Sequence, residues 1–447
     1  MNLDFSCFCD CWWRASAFGG KTAKVLWNHA VSTLTLAWLA VLALTLSVQK
    51  LAAQDISDIR VQHIPSAVLP PHVISFNNGV TFTEPDSVFQ LSLRFRIQNL
   101  AQVQTRSVED VSIDRVLWNV RRLRLRFSGF VADTSLTFLL QLSMSRNDLD
   151  WDNSEFPNII RDAVIYWRPI PSLQLGFGLT KLPGNRQRVV SSSEMQMIDR
   201  SIVNAAFNVD RDFGFQAVYA LLLGSSASSA RIHARGALTT GDGRNTVVAN
   251  PGLSYTGRIE VLPFGQFARN GDYVEGDIER EEAPKLSLAV GYSQNNNARR
   301  TGGQLGTQLF AERSMGTWLA DALVKYRGFS LYAEYAARSV LRGESPITTD
   351  ASGTQKFVYD GAGVNVQAGY FVAEQWELVG RYATIVPNAS IYKVAQQQTH
   401  YTAGVNYYLN RHRIKVQTDI TFESFHNKLT NAQTASWIGR FQVEFGI

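Results

Sequence analysis

Two runs of this chain carry guanidinium groups at every second position: Arg94 and Arg96 in the first, Arg122, Arg124 and Arg126 in the second. A spacing of two is the period of a β-strand. Each run therefore gathers its arginines on one face and places Leu91, Leu93, Phe95 and Ile97, or Leu123, Leu125 and Phe127, on the other. A guanidinium stays charged at physiological pH and presents a fork of donors that fits carboxylate or phosphate oxygens. Rows of such groups along a water-filled tube with low-dielectric walls concentrate anions and repel cations.

Arg231 and Arg235, on either side of His233, make a third row, and Arg258 joins the inward set. Lys285, Lys325, Arg381, Arg413, Lys415 and Arg440 bring the inward cations to fourteen. They face seven inward carboxylates: Asp162, Glu260, Asp321, Glu334, Glu377, Asp419 and Glu444. The first two strands hold five inward arginines and no inward acid, which tips the expectation to anion attraction. The plainer reading is that inward positions must be polar in any barrel, with arginines pairing to acids and stiffening the wall.

Catalysis lacks its constellation. His63, His72, His233, His400, His412 and His426 are scattered over linker, wall and turns, and none stands in a metal-ligand spacing or beside a fixed nucleophile. The pairs Gly176/Gly178 and Gly241/Gly243 precede no phosphate-binding helix. The expectation is no catalytic residue, no metal, no cofactor, no enzyme and no nucleic-acid partner.

The elements that position the arginines are short alternating segments, sixteen of them: 88–98, 118–128, 134–143, 161–168, 172–180, 213–222, 231–239 and 254–262, then 284–293, 318–327, 329–338, 357–371, 376–385, 400–409, 413–422 and 436–446. Each is close to the roughly nine to eleven residues that a tilted strand needs to cross hydrocarbon. The joins alternate between short and long, with short ones after even strands. That rhythm predicts an all-β transmembrane antiparallel up-and-down barrel with periplasmic turns and extracellular loops. One join breaks it. The stretch 263–283 is long where a turn is due, so either a strand pair is misplaced nearby or the periplasmic rim carries an insertion.

Aromatic pairs such as Trp318 and Tyr326, or Tyr401 and Tyr407, end the outward rows and suit the two interfacial girdles. The composition, 45% hydrophobic and 18% charged with a mean hydropathy of −0.10, does not by itself suggest a membrane protein. A barrel hides its lipid contact in alternate residues, which reconciles the two.

The chain divides into 1–53, 54–86 and 87–447. Lys21 and Lys24 precede the apolar run 31–48, and Leu51, Ala52 and Ala53 offer a cleavage site, so 1–53 reads as a leader whose start lies unusually far upstream. Cys7, Cys9 and Cys11 all fall within it, leaving a mature barrel without thiols, suited to an oxidising periplasm. The net charge of +5 becomes +3 without the leader. Residues 54–86, broken by prolines, form a periplasmic lead-in too short for a plug domain.

Several stretches resemble the phosphate-selective porin O/P family: Phe76 to Phe82 leading into Phe89 to Arg94, Arg121 to Gly129, Asp199-Arg200-Ser201 followed by Arg211 to Gly214, Gly257 to Gly265, and Ser330 to Tyr335. The resemblance spans 76–447. It implies a sixteen-stranded channel of the bacterial outer membrane, commonly trimeric, passing anions, with Arg94, Arg96, Arg122, Arg124 and Arg126 as ladder-like wall residues. It also implies an inward-folded constriction loop, for which 181–188 with Lys181, Arg186 and Arg188 is a candidate. Read from its residues alone, that segment is first a solvated surface loop. The chain departs from the usual aromatic terminus of such barrels by ending on Ile447.

The expectation is a passive porin for small anions, inorganic phosphate leading, with outer-membrane lipid, the barrel-assembly machinery and two further copies of itself as partners. A general non-selective porin and a structural or adhesin barrel are the alternatives.

Overall fold

Strict alternation leaves a strand of this chain with one face for lipid and one for water, and sixteen such strands close on each other. The computed structural model describes residues 73–75, 79–84, 88–149, 157–226, 228–244, 246 and 251–447. The expected leader and its cysteines lie outside them. The first eight barrel strands are β1 (Phe89–Thr105), β2 (Ile113–Val131), β3 (Asp133–Ser143), β4 (Ile160–Ile170), β5 (Leu173–Lys181), β6 (Arg211–Leu223), β7 (Ala230–Thr239) and β8 (Ser254–Leu262). The second eight are β9 (Lys285–Arg300), β10 (Gln308–Tyr326), β11 (Phe329–Val340), β12 (Gly361–Phe371), β13 (Trp376–Pro387), β14 (Gln397–Asn410), β15 (Ile414–His426) and β16 (Gln433–Gly446).

Each pairs antiparallel with the next, and β16 returns to β1 with Ile438 opposite Gln104 and Gly446 opposite Arg96. No barrel edge is left between the first and last strands. Several strands outrun the span that hydrocarbon needs: β1, β2, β9 and β10 have 17, 19, 16 and 19 residues. Their extra length lies at the long-loop end, where the strand is solvated. At the turn end, Arg327 and Gly328 join β10 to β11, both at positive φ (46° and 84°). That is the two-residue hairpin geometry whose twist matches the flanking strands.

The alternation is plain in β11, where Ser330, Tyr332, Glu334, Ala336 and Arg338 are buried toward the bore and Tyr335 is exposed outside. Trp318, Tyr382, Tyr401 and Phe445 are exposed on the same outer surface. Residues expected as a lead-in are partly sheet: Val80–Thr83 pairs with β1 at Gln90 to Leu93, just past the point where β16 ends, and Val73–Ser75 pairs with it in turn.

The bore is not open across its width. Between β5 and β6 the chain folds inward, forming a short helix α1 (Arg186–Val189) and a second, α2 (Ile202–Phe207), whose cap Ser201 accepts from the Asn204 amide. Apolar residues at inward strand positions hold it. Leu182, Val203, Phe207 and Val209 pack on Leu319 of β10, Ala336 of β11 and Ala383 and Ile385 of β13.

The stretch 263–283 is an insertion and not a misplaced strand pair, since β8 and β9 pair directly from Val261 opposite Leu288 onward. It too turns into the bore. Phe267 packs with Leu262, Leu323 and Tyr332, and Lys325 Nζ donates to the Gly271 and Val274 carbonyls, both at 2.8 Å. Each buried aromatic or aliphatic side chain of this kind stabilises by about 1.5–3 kcal/mol, enough to keep a loop out of solvent.

Candidate functional site

Two cavities stand in the bore, about 570 Å³ between β1–β3 and the ends of β14 and β16, and about 390 Å³ against β2–β7. Arg124, Arg126, Gln141 and Ser191 border both, so these four stand at the boundary the two cavities share. Arg94 and Arg96 line the larger cavity, toward the turn end, with Arg269, Arg411 and Arg413 and the carboxylates of Glu194, Glu279 and Glu444. Lys181, Arg188, Arg200, Arg211 and Arg235 line the smaller, with Asp162 as its one bordering carboxylate.

The expected ladder residues face the bore from two strands in register, Arg94 opposite Arg126, Arg96 opposite Arg124 and Gln98 opposite Arg122. Their surroundings differ. Arg126 makes no ion pair among the described residues, and its Nε has no partner. Arg96 donates to Ser192 Oγ at 2.8 Å and lies 3.7 Å from Glu444. Arg122 Nη1 donates to Gln98 Oε1 at 2.6 Å. Arg124 is bound to Asp148 and to Ser192.

Other expected residues are committed elsewhere. Arg258, 2% exposed, pairs with Asp321 at 2.7 Å and donates to the Gly184 carbonyl, so it anchors the inward loop and borders neither chamber. Arg235 lies 3.5 Å from Glu260 and stacks over the Tyr273 ring at 4.7 Å. Arg231 is half-buried near the turn end of β7 and borders neither cavity. In the inward loop, Lys181 Nζ donates to the Val189 carbonyl at 2.6 Å, and Arg188 binds Asp210. Arg186 is buried, donating to Asp321 Oδ1 at 2.7 Å, Ser287 Oγ at 2.6 Å and the Asp272 carbonyl at 2.6 Å, and it also pairs with Glu260. Burial opposes its charge, but Asp321 and Glu260 outweigh that and hold the guanidinium protonated well above its ordinary range.

Strict alternation misses two arginines. The register of β2 against β1 skips at Arg121, and that of β4 against β3 skips at Arg161. Each skip is a β-bulge, which adds one residue and turns it to the same side as its neighbour. Arg121 thereby reaches Asp199, and Arg161 Nη1 lies 2.7 Å from Asp148 Oδ1. A sequence signal exists for both: regular alternation would aim each guanidinium at lipid, which costs roughly 2–4 kcal/mol at the bilayer midplane.

The motif residues Asp199, Ser201 and Arg211 serve the inward loop. Asp199 takes Arg121 and Arg440, Ser201 caps α2, and Arg211 holds Asp162 through Nε at 3.0 Å and Nη2 at 3.2 Å.

Two polar clusters have the composition of reactive sites. His233, Glu260 and Asp272 bring ligand atoms within 4.8 Å of one another. Glu260 is already occupied by Arg186, Tyr273 and Ser287, a cationic setting unsuited to a metal ion. Near the loop end, Ser436 donates to Glu423 at 2.6 Å and His400 lies 3.7 Å from the same carboxylate, so the histidine orients no hydroxyl for attack.

A family model described as phosphate-selective porin O and P matches residues 91–445. No curated protein matches the chain. Among solved structures, the outer membrane channel DcaP of Acinetobacter baumannii is 11% identical with a TM-score of 0.49, covering 83% of this chain and 100% of that one. An anion-selective porin from Comamonas acidovorans is 12% identical with a TM-score of 0.48, covering 80% and 100%. OmpT of Vibrio cholerae, expressed in the outer membrane, is 11% identical with a TM-score of 0.47, covering 80% and 98%. Likeness at this level carries no argument about what passes through this chain.

Proposed function

This chain belongs to the phosphate-selective porin O and P family and is an outer-membrane porin, and on that premise we propose that it passes small anions, inorganic phosphate first among them, through the two chambers bordered by Arg124 and Arg126. The observation that carries the reading is the boundary shared by the two chambers at Arg124, Arg126, Gln141 and Ser191, where Arg126 makes no ion pair among the described residues. An oxyanion entering there trades water for guanidinium, amide and hydroxyl donors. It moves on by exchanging one set of donors for the next, down its gradient, without covalent chemistry.

Charge supports the same direction. Eight cations border the smaller chamber; Asp148, Asp162, Asp210 and Glu260 pair with five of them, and Arg126, Lys181 and Arg200 make no ion pair among the described residues. Low-dielectric walls keep such an imbalance from being screened as it would be in bulk water.

Assembly as a homotrimer is part of the proposal. Asn99 of β1 is exposed on the outward face, opposite Val120 on one side and Val443 on the other. A polar amide facing hydrocarbon is costly, and contact with another barrel would cover it. Native electrophoresis and cross-linking from Asn99→Cys read this directly, a monomer counting against it.

The test of transport is the reversal potential of the purified protein in planar bilayers under asymmetric potassium chloride, followed by titration of phosphate into the chloride current. Anion selectivity with phosphate block is the expected result. Selectivity near zero would favour a general diffusion porin, and absence of conductance would favour a structural or adhesin barrel.

A further inference from the structure

Charge is divided unequally around the bore. Glu260, Asp321, Glu334 and Glu377 lie on β8, β10, β11 and β13, all buried and none bordering either chamber, whereas Glu194, Glu279 and Glu444 border the larger one among seven arginines and Asp162 borders the smaller among eight cations. The segments that stand between these carboxylates and the chambers are the loop after β5, residues 182–210, and the insertion after β8, residues 263–284. They come from opposite ends of the barrel and are tied together inside it.

Arg186 is one tie. From the loop it reaches Glu260 and Asp321 on the wall, and also the Asp272 carbonyl and the Tyr273 ring of the insertion. Glu275 is the other. From the insertion, its backbone amide donates to the Glu194 carbonyl at 2.8 Å, and its Oε2 accepts from the Gln196 amide at 2.8 Å and from Gln367 Nε2 of β12 at 3.0 Å. Gln196 then covers Glu377 through its side-chain amide, while its carbonyl accepts from Asn406 and Gln417.

We infer that the loop 182–210 and the insertion 263–284 form a two-part shield whose role is electrostatic: it hides the carboxylate-bearing half of the bore so that a permeating ion meets the cationic half. Arg186 and Glu275 are its positioning residues. The inference rests on the anion-porin reading and assigns a purpose to an insertion that the strand rhythm does not require. Without the shield the route would widen onto a wall where carboxylates alternate with Arg258, Lys325 and Arg381, and a mixed wall discriminates weakly between ions of opposite sign.

Two variants test it in planar bilayers. Arg186→Gln removes the tie that joins both segments to Glu260 and Asp321. Replacing residues 266–281 by a short Gly/Asn turn removes the insertion while leaving the β8–β9 pairing intact, and serves if the first variant does not assemble. Lys428→Gln, at an exposed position in the loop between β15 and β16 that borders neither chamber, is the control. The expected result is a conductance about twofold higher, from the wider route, together with a reversal potential that moves toward zero. A folded turn variant with higher conductance and unchanged reversal potential overturns the shield while leaving the anion reading intact, as does a variant unchanged in both. A parent protein without anion selectivity overturns the earlier reading instead.

Discussion

Arg124 donates both Nε and Nη2 to a single oxygen of Asp148, at 2.7 and 2.5 Å, while Arg161 approaches the other carboxylate oxygen at 2.7 Å. Asp148 comes from the loop between β3 and β4, so a tethered carboxylate occupies a two-arginine cradle beside the boundary the two chambers share. A free oxyanion binding there must displace it.

Asp148→Asn should therefore tighten binding of permeant anions. A charge-assisted hydrogen bond contributes about 1.5–3 kcal/mol, so the half-blocking phosphate concentration is expected to fall by a factor of at least about ten. Titrating phosphate against chloride current measures it, and weaker block would mean that Asp148 assists binding instead.

Arg126 and Arg258 should separate selectivity from stability. Arg126→Gln removes a guanidinium between the chambers that makes no ion pair among the described residues, so the reversal potential should drop with little change in thermal unfolding. Arg258→Met breaks a buried pair with Asp321 and should cost about 3–5 kcal/mol, seen as a lower unfolding temperature in detergent. Changing Arg122, Arg124 and Arg126 together to Gln should weaken anion selectivity further than Arg126 alone.

Bulges predict which deletions a strand tolerates. Removing Arg121 leaves Arg122 opposite Gln98 and Val120 opposite Asn99 in regular alternation, so the barrel should still assemble. Removing Leu123 puts Arg122 next to Arg124 and drives one guanidinium outward. Heat-modifiable electrophoretic mobility should be kept in the first and lost in the second.

Acid should loosen the inward segments only at low pH. Burial pushes the Asp148 carboxyl up, yet Arg124, Arg161 and Arg122 outweigh it and hold it well below the usual range, and Arg188 and Arg211 do the same for buried Asp210. A depressed carboxyl contributes stability in full above its unfolded value of about 3.9 and loses it as the pH falls through the folded one. Open-channel noise should stay flat from pH 8 to pH 5, and a rise in noise at pH 6 would contradict this assignment.

Much of this was legible in the chain, for a reason that also sets its limit. Alternation identifies Arg94, Arg96, Arg122, Arg124 and Arg126 as facing the bore because a one-residue slip would bury charge in lipid. It misplaces Arg121 and Arg161, since a bulge is a local departure that no period of two anticipates. Leu319, Ala336, Ala383 and Ile385 stand at inward positions where water was expected. Apolar residues there are the trace of a segment folded against them, visible only once that segment is known.

What the sequence determined by itself is the barrel: sixteen alternating segments and the strand faces that carry the arginines, because lipid and water impose the period residue by residue. Which arginines stay unneutralised was decided by the tertiary structure alone. Asp148, Asp199 and Asp321 reach their partners from loops or strands far away in sequence, and closure of the barrel with two segments folded inside brings them within hydrogen-bond distance. Pairing of that kind depends on three-dimensional proximity, and nothing in the local spacing records it.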